Sequence, residues 1–239
     1  MTLSTKYQPL YQQVYDEIVK RLSEGYWKAG DSLPSEFGLA DELGVSQGTV
    51  RKALNQLVDE NILRRRQGKG TYVSEHNNEN SLYRFFRYKE HGGESVIPET
   101  EVVSLTSRQA SAREAKKLRL TENLMVAEMV RVRSIKGRPA IYEMVLQPLS
   151  IFPGIDEVDE IPNSLYGYYQ SKYGISVVEV RDELHAVILD EKVANHLELN
   201  AGEAALMTER SSINIDGRVV EWSQAYCSTE KFVYSVSLK

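Results

Sequence analysis

The chain has 239 residues, of which 41% are hydrophobic and 26% are charged, and its formal net charge is −5. These proportions exclude a disordered chain and leave room for two globular domains, while the single cysteine, Cys227, excludes an internal disulfide. Because no apolar run approaches the ~20 residues of a membrane span and the first residues lack a signal-peptide core, we expect a cytoplasmic protein without a membrane partner.

The charge is unevenly distributed along the chain. Residues 1–75 carry ten basic and ten acidic residues, whereas the remaining 164 residues carry nineteen basic and twenty-four acidic ones. Within 46–73, six basic residues face only two acidic ones. Because a local basic cluster matters more for DNA affinity than the total charge, we expect a surface for double-stranded DNA in this segment.

Three helices are predicted in the first sixty residues. The first runs from about Leu10 to Gly25, because apolar residues recur there every four positions. The second covers 36–43 after an N-cap at Ser35, and the third follows a second N-cap at Ser46.

The spacing of three residues indicates a helix-turn-helix. Ala40 is small enough for two helices to cross closely, Gly44 provides the left-handed turn, and Val50 fills the core between the helices. A basic hairpin follows at once, with strands near 62–66 and 71–73. The combination predicts a winged helix that binds DNA.

The first turns of the third helix would meet base edges in the major groove. Arg51 suits two hydrogen bonds to a guanine, and Gln47 suits an adenine unless it is only a solvated residue of the first turn. The helical residues expected to bind DNA, through bases or phosphates, are Ser35, Ser46, Gln47, Thr49, Arg51 and Lys52.

A polar segment separates this head from a second domain. We place the DNA-binding domain at 1–73, an exposed linker at 74–82 and the second domain at 83–239, with the heads pivoting near Asn77–Asn80. Beyond the linker, seven alternating β-branched runs and three helical patterns predict an α+β domain on an antiparallel sheet. A weak repeat of Arg-Ser followed by Gly-Arg, at 133–138 and 210–218, fits either a duplication or hairpin chemistry alone.

Two arginines point to a binding site for an anion. Arg131 and Arg133 are two residues apart on a predicted strand, so both side chains lie on one face and suit a phosphate or carboxylate. Glu143 lies among apolar positions and needs a partner, which is either a ligand or one of these arginines in an internal ion pair. Glu221 follows the same argument more weakly.

The sequence offers no catalytic constellation. The four histidines are far apart without metal-ligand spacing, and no nucleophile–base pair is evident, so we expect no catalytic residue, metal or cofactor.

The head resembles the GntR family of transcription regulators. The similarity lies in 33–36, 44–46, 49–54 and 65–73, and it covers most of 10–73. It implies that the wing tip reaches the minor groove, because only a glycine lets the backbone come so close. The wing residues assigned to DNA are Arg66, Gln67, Gly68 and Lys69. Phe37 and Gln47 stand where the family often has arginine, so we do not expect the usual family operator.

The tail is similar to the UTRA effector-binding domain of HutC-type members. The similarity spans roughly 90–237 and implies a fold like chorismate lyase, used for ligand binding and homodimerisation and not for catalysis. The residues assigned to the effector are Arg131, Arg133, Glu143, Tyr166, Glu221 and Tyr226.

Together these features predict a sequence-specific transcription regulator, a repressor that binds a palindromic operator as a homodimer. A small anionic metabolite in the C-terminal domain would control its operator affinity. Two alternatives are an enzyme, which turnover of a bound ligand would reveal, and a regulator that takes no effector.

Overall fold

The computed structural model describes residues 8–75, 85–94, 96–122 and 124–237. Its elements in chain order are α1 (Leu10–Ser23), α2 (Glu36–Leu43), α3 (Gln47–Asp59), β1 (Leu63–Arg66), β2 (Gly70–Val73), β3 (Tyr88–Glu90), β4 (Glu99–Gln109), α4 (Ala112–Lys117), β5 (Met125–Ile135), β6 (Arg138–Pro148), a 3-10 turn (Ile155–Glu157), α5 (Leu165–Tyr173), β7 (Val177–Ile188), α6 (Glu191–His196), β8 (Ala204–Asn214), β9 (Val219–Cys227) and β10 (Phe232–Tyr234). The predicted antiparallel α+β architecture is confirmed, whereas β3 and the 3-10 turn were not predicted.

The head is the expected winged helix-turn-helix. The Ser35 and Ser46 hydroxyls accept hydrogen bonds from the backbone N–H groups of Gly38 (3.0 Å) and Thr49 (3.2 Å), which fixes the starts of α2 and α3. Gly44 ends α2 with φ +65°, the left-handed conformation that the tight turn requires.

The head core is built mainly on α3. Val50, Ala53, Leu54 and Leu57 are fully buried against one face of α1. β1 and β2 form an antiparallel wing in register from 63 opposite 73 to 66 opposite 70. Because the apolar face of α3 points inward, its polar residues are left on the outer surface of the head.

The tail is a six-stranded antiparallel sheet in the order β4-β5-β6-β9-β8-β7. Side chains alternate between its two faces. Helices α4 and α6 cover one face, as the packing of Leu118 and Leu197 shows. On the other face lie α5, the 3-10 turn and the β3–β10 ribbon.

The two halves of this sheet share one topology. β4, α4, β5 and β6 form the first half, and β7, α6, β8 and β9 form the second, with β6 and β9 paired at the centre. Each half therefore runs strand, helix, strand, strand. The repeat seen in the sequence thus falls on equivalent hairpins, β5–β6 and β8–β9, of two similarly ordered halves.

The head packs against the tail beside the start of β7. Val178 and Ile215 contact the head core, and the Gln170 side-chain N–H donates to the Ser74 carbonyl oxygen (3.1 Å). A cavity of about 700 Å³, lined by residues of both domains including Trp27, lies beside this contact. The predicted pivot at Asn77–Asn80 lies outside the described residues.

Candidate DNA interface and effector pocket

The predicted DNA-reading residues lie together on one outer surface of the head. Arg51 and Lys52 project from α3 with exposed side chains, and Gln47 lies one turn earlier. The wing tip, residues 67–69, is also exposed. The helix and the wing therefore present one continuous basic surface, of the kind that can bind the grooves and phosphates of a duplex.

Glu36 organises the basic side chains of this surface. Its carboxylate accepts hydrogen bonds from Arg51 Nε (2.8 Å), Arg65 Nη2 (3.1 Å) and Gln47 Nε2 (3.4 Å). Burial opposes ionisation, but the Arg51 hydrogen bond and the charges of Arg51 and Arg65 outweigh it and lower the pKa of Glu36. The carboxylate thus holds Arg51 in place while leaving its side chain 54% exposed.

Aromatic rings support two further cations of the surface. Lys52 Nζ lies 3.7 Å from the centre of the Tyr11 ring, and the Arg66 guanidinium lies 4.6 Å from that of Tyr72. A cation over a ring face is attracted by the ring quadrupole and loses conformational freedom before any ligand binds. The sequence interpretation missed Tyr11, Glu36 and Tyr72 in these supporting roles. Tyr11 and Glu36 lie 41 and 15 residues from Lys52 and Arg51, whereas Tyr72 lies only six residues from Arg66 in the predicted hairpin.

The wing tip has the backbone that the sequence predicted. Gly68 and Gly70 have φ values of +70° and +114°, which favour glycine strongly. Because Gly68 has no Cβ, it adopts this backbone without strain and leaves the wing tip open between Gln67 and Lys69.

On the face of the sheet covered by α5, β5 and β6 bring the predicted effector residues together. Arg131 and Glu143 are direct cross-strand neighbours, and Arg131 Nε donates to Glu143 Oε2 at 2.7 Å. Both are shielded from solvent, and the charges of the arginines lower the pKa of Glu143 despite its burial. The internal ion pair that the sequence left open is thus present.

That ion pair leaves several N–H donors of Arg131 and Arg133 without hydrogen-bond acceptors among the described residues. Among the described residues, Arg131 Nη1 and Arg133 Nε and Nη2 are buried without a hydrogen-bond partner. Burial and the charge of Arg131 lower the pKa of Arg133 to about 10. The Phe86 ring lies 4.8 Å from the Arg133 guanidinium. Because buried donors without partners are costly, they indicate a place for an acceptor, and two cations favour an anionic one.

Glu221 provides a second carboxylate in this region. It accepts hydrogen bonds from Tyr169 (2.5 Å), Ser212 (2.9 Å) and, more weakly, Tyr166 (3.4 Å). Burial raises the pKa of Glu221. Its hydroxyl partners can reorient, so this end of the site can exchange hydrogen bonds with a hydroxyl-bearing ligand.

Five of the six predicted effector residues line one small pocket, with a free volume of about 40 Å³. The lining also contains Phe85, Phe86, Asn163, Ser164, Leu165 and Arg210, none of which was predicted as a site residue. Arg210 donates two 2.7 Å hydrogen bonds to Asp182. Its place in the Arg-Ser repeat, where it corresponds to Arg133, was the available signal, but only the strand order brings the two arginines to one pocket.

Tyr226, the sixth predicted effector residue, does not line this pocket. Tyr226 packs against Tyr142, beside His196, on the face of the sheet covered by α6. It lies five residues from Glu221 on the same strand, and an odd separation places two side chains on opposite faces. This alternation was available from the sequence.

The sheet also brings together a group that the histidine spacing did not predict. Ligand-type atoms of Glu183, His185 and Glu209 lie within 4.8 Å of one another. Lys117 Nζ lies 2.8 Å from both carboxylates, and the Arg113 guanidinium also pairs with Glu209, so two cations already neutralise the two carboxylates of this group. Among the described helices, none is long and apolar enough to cross a membrane.

Comparisons with known proteins match both domains. The family model described as bacterial regulatory proteins, gntR family, matches residues 10–73, and the UTRA domain model matches 94–233. The chain is 30% identical to the mannosyl-D-glycerate transport/metabolism system repressor MngR of Escherichia coli, over 96% of each chain. It is 23% identical to the transcriptional repressor NagR of Bacillus subtilis, over 95% of this chain and 93% of that one.

Solved structures agree in fold. The ligand-binding domain of a GntR-family regulator from Bordetella bronchiseptica matches with a TM-score of 0.60 and 25% identity, over 66% of this chain and 99% of its own. PhnF of Mycobacterium smegmatis matches with a TM-score of 0.56 and 21% identity, over 95% of this chain and 99% of its own. With a winged head, a UTRA-type tail and relatives matched along almost their whole length, this chain belongs to the GntR family of DNA-binding transcription regulators.

Proposed function

We propose that the protein is a repressor that binds a palindromic operator as a homodimer and responds to a small anionic effector in its tail. The observation that carries the effector part is the pair of buried arginines, which have donors without partners among the described residues. Buried donors without acceptors cost free energy. An anionic ligand that supplies the missing acceptors would therefore stabilise this site.

In this proposal, α3 reads the major groove and the wing reaches the minor groove. Arg51 contacts a guanine from the orientation that Glu36 gives it, and Gln47 and Thr49 contact neighbouring bases. Lys52 and the wing residues Arg66, Gln67 and Lys69 bind phosphates or the groove edge, and Gly68 allows close backbone approach. Ser35 and Ser46 cap their helices and present nearby backbone N–H groups to phosphates.

The chemistry of the pocket favours a polyhydroxylated acid. Arg131 and Arg133 would bind the acid group, and Glu143 and Glu221 would accept hydrogen bonds from hydroxyl groups. Tyr166 closes the same side of the pocket. MngR is named for a system that handles mannosyl-D-glycerate, a glycoside of a hydroxy acid, which belongs to this chemical class.

The pocket links ligand binding to the head through Phe85 and Phe86. A volume of about 40 Å³ holds little more than a water molecule, so a ligand must displace lining side chains. The two phenylalanines directly follow the segment that leads from the head. Moving them would pull on that connection, and the cavity between the domains leaves space for the head to shift.

Selection of duplexes from a random library with the full-length protein tests this function. We expect an enriched palindrome, bound by two chains, and a stabilisation of the protein by inorganic phosphate or D-glycerate in a thermal-shift assay. Failure to enrich any sequence would contradict operator recognition, and indifference to both anions would contradict the effector class.

Arg51→Ala provides the residue-level test of DNA recognition. The substitution should weaken binding to the selected duplex by about tenfold or more, because a guanine contact with two hydrogen bonds is lost. Affinity for unrelated duplexes should change little. Gel shifts on both duplexes measure the ratio, circular dichroism checks the fold, and an unchanged ratio would refute the assignment.

A further inference from the structure

A groove on the α4 side of the tail sheet lies apart from both the DNA surface and the effector pocket. It runs between α4 and the strands β7, β8 and β9, and its free volume is about 410 Å³, compared with about 40 Å³ for the effector pocket. Cavities of roughly 300–1,000 Å³ are typical of small-molecule sites. The groove is therefore large enough to admit a small molecule in the conformation observed.

The lining of this groove is strongly basic. Five lining residues are cationic, whereas only Glu183 and Glu209 are acidic. The cationic residues are Arg113, Lys116, Lys117, Arg119 and Arg181. The rest of the tail has the opposite balance, since residues 76–239 as a whole carry nineteen basic and twenty-four acidic residues. A cationic cleft on an acidic domain attracts small anions from solution.

Two of the five cations are held by carboxylates within the groove. Glu209 is 3% exposed and pairs with both Arg113 and Lys117. Lys117 Nζ also lies 2.8 Å from Glu183. Arg113 and Lys117 therefore form a fixed inner wall of the groove.

The other three cations are less engaged. Arg181 pairs with Glu179 at 2.7 Å, but both side chains are at least half exposed, and exposed pairs contribute little. Lys116 and Arg119 are exposed and form no ion pair within the part of the chain that the structure describes. These three side chains are available to a ligand.

The bottom of the groove contains a buried donor without an acceptor. Trp222 lines the groove and is 2% exposed, and its indole Nε1 has no hydrogen-bond partner among the described residues. Ser211 lies directly opposite on β8, and its hydroxyl also makes no hydrogen bond to a described residue. Since buried N–H groups nearly always have an acceptor, the bottom of the groove offers a place for an oxygen atom of a ligand.

A second helix of the same fold shows that the basic charge is not a structural requirement. α4 and α6 hold equivalent places in the two halves of the sheet, and each has six residues. Two residues after each helix comes a non-glycine residue of positive φ, Arg119 at +54° and Glu198 at +56°. Basic residues are favourable near any helix C-terminus, yet α6 has Asn195 at the place of Lys116 and Glu198 at the place of Arg119. The fold alone therefore does not account for the cations of α4.

We propose that this groove binds a small polyanion, a compound with two or more phosphate or carboxylate groups, at a site separate from the effector pocket. One anionic group accepts hydrogen bonds from Trp222 Nε1 and the Ser211 hydroxyl, and Lys116 and Arg119 bind another. A duplex or a protein surface fits less well, because the Trp222 N–H is buried and only a small group can reach it.

The charge of the groove matches such a ligand. Its five cations face three carboxylates, those of Glu179, Glu183 and Glu209, which leaves two net positive charges. A ligand with two anionic groups balances them, whereas a ligand with one does not.

The groove and the effector pocket lie back to back across the sheet. Side chains alternate along β8 and β9, so Arg210 and Glu221 line the effector pocket, whereas the adjacent Ser211 and Trp222 line the groove. The two sites share strands but have no lining residue in common. Binding in the groove can therefore be measured independently of the effector.

The indole N–H groups of the two tryptophans provide a direct test. In a nitrogen–proton correlation spectrum of the full-length protein labelled at tryptophan, Trp27 and Trp222 give one indole signal each, and Trp27→Phe assigns them. Inorganic pyrophosphate or citrate should shift the Trp222 signal, because a new hydrogen bond changes the chemical shift of its donor, and should leave the Trp27 signal in place. The tighter of the two ligands identifies the preferred anionic group. Acetate, with one such group, should bind about tenfold more weakly or less.

Variants of exposed cations locate the site. The double variant Lys116→Gln, Arg119→Gln should raise the dissociation constant for the polyanion about tenfold or more, because two charge-assisted contacts are lost. Lys192→Gln removes an exposed cation from α6 and is the matched control, which should leave that constant unchanged. Arg133→Met, in the effector pocket, should also leave the Trp222 shift unchanged.

An unmoved Trp222 signal with both polyanions would overturn the proposal. So would a dissociation constant that the double variant does not change, or that Lys192→Gln raises equally. A shift that disappears in Arg133→Met would place the anion in the effector pocket instead. None of these outcomes depends on finding an operator or the effector.

Discussion

Arg131 and Arg133 lie two residues apart on β5, yet their surroundings differ. Arg131 Nε forms an ion pair with Glu143 at 2.7 Å. Arg133 Nη1 lies 3.9 Å from that carboxylate, and two buried donors of Arg133 have no hydrogen-bond partner in the part of the chain that the structure describes. One arginine therefore stabilises the fold, and the other keeps binding capacity at a cost to stability. Such a cost to stability is expected at a site that binds a ligand.

Substitution of each arginine by methionine should separate these roles. Arg131→Met should lower the free energy of unfolding by about 3–5 kcal/mol, because it leaves the Glu143 carboxylate buried without its main partner. Arg133→Met should leave stability unchanged or higher and should abolish stabilisation by inorganic phosphate. Urea unfolding with and without phosphate measures both effects. Equal destabilisation by the two substitutions would contradict the distinction.

Glu221 gives the tail a pH dependence. Burial raises its pKa in the folded state, so its contribution to stability is full below the ordinary glutamate pKa of about 4.3 and is lost as the pH rises through the raised value. Glu221→Gln cannot ionise, so this decline should be absent. In urea unfolding, the variant should gain stability relative to the wild type as the pH rises above the ordinary glutamate pKa of about 4.3, and a difference that does not change with pH would exclude Glu221 as the source.

At the scale of elements, the head depends on the turn between α2 and α3. Gly44 has φ +65°, whereas Gly48 lies in α3 with an ordinary helical backbone and only an ordinary contact at its Cβ position. Gly44→Ala should destabilise the head by about 1–2 kcal/mol because alanine is strained in the left-handed region. Gly48→Ala should instead stabilise it by up to ~1 kcal/mol.

Thermal unfolding of the full-length protein measures both glycine variants. The comparison is matched because the two glycines are four residues apart and receive the same side chain. If both substitutions destabilised the protein equally, the backbone conformation at the turn would not be the cause.

At the scale of the whole molecule, a protein with net charge −5 binds a polyanion through a small basic surface. Phosphate contacts release counterions, so the logarithm of affinity should fall linearly with the logarithm of salt concentration. Lys69→Ala should weaken binding to all duplexes alike and reduce the magnitude of that slope by about 1. Fluorescence anisotropy across a salt series measures it, and Lys20→Ala, on the exposed side of α1, is the control.

The sequence by itself determined the local structure of this protein. Periodic apolar residues, caps at Ser35 and Ser46 and the turn at Gly44 depend on neighbours a few residues away, so the head and the hairpins were predicted nearly to their observed bounds. The placement of Arg131 and Arg133 on one face of a strand was also predicted, because side-chain alternation on a strand is a local rule. The same rule would have excluded Tyr226.

Only the tertiary structure decided which distant segments meet. The order of the six strands places Arg210 beside Arg133 and leaves β7 at an open edge, and the chain after the linker brings Phe86 over Arg133. Glu36 likewise meets Arg51 and Arg65 only once the helices and the wing pack together. These contacts join residues tens of positions apart, and their free energy comes from burial and pairing in the folded whole, which no local pattern encodes.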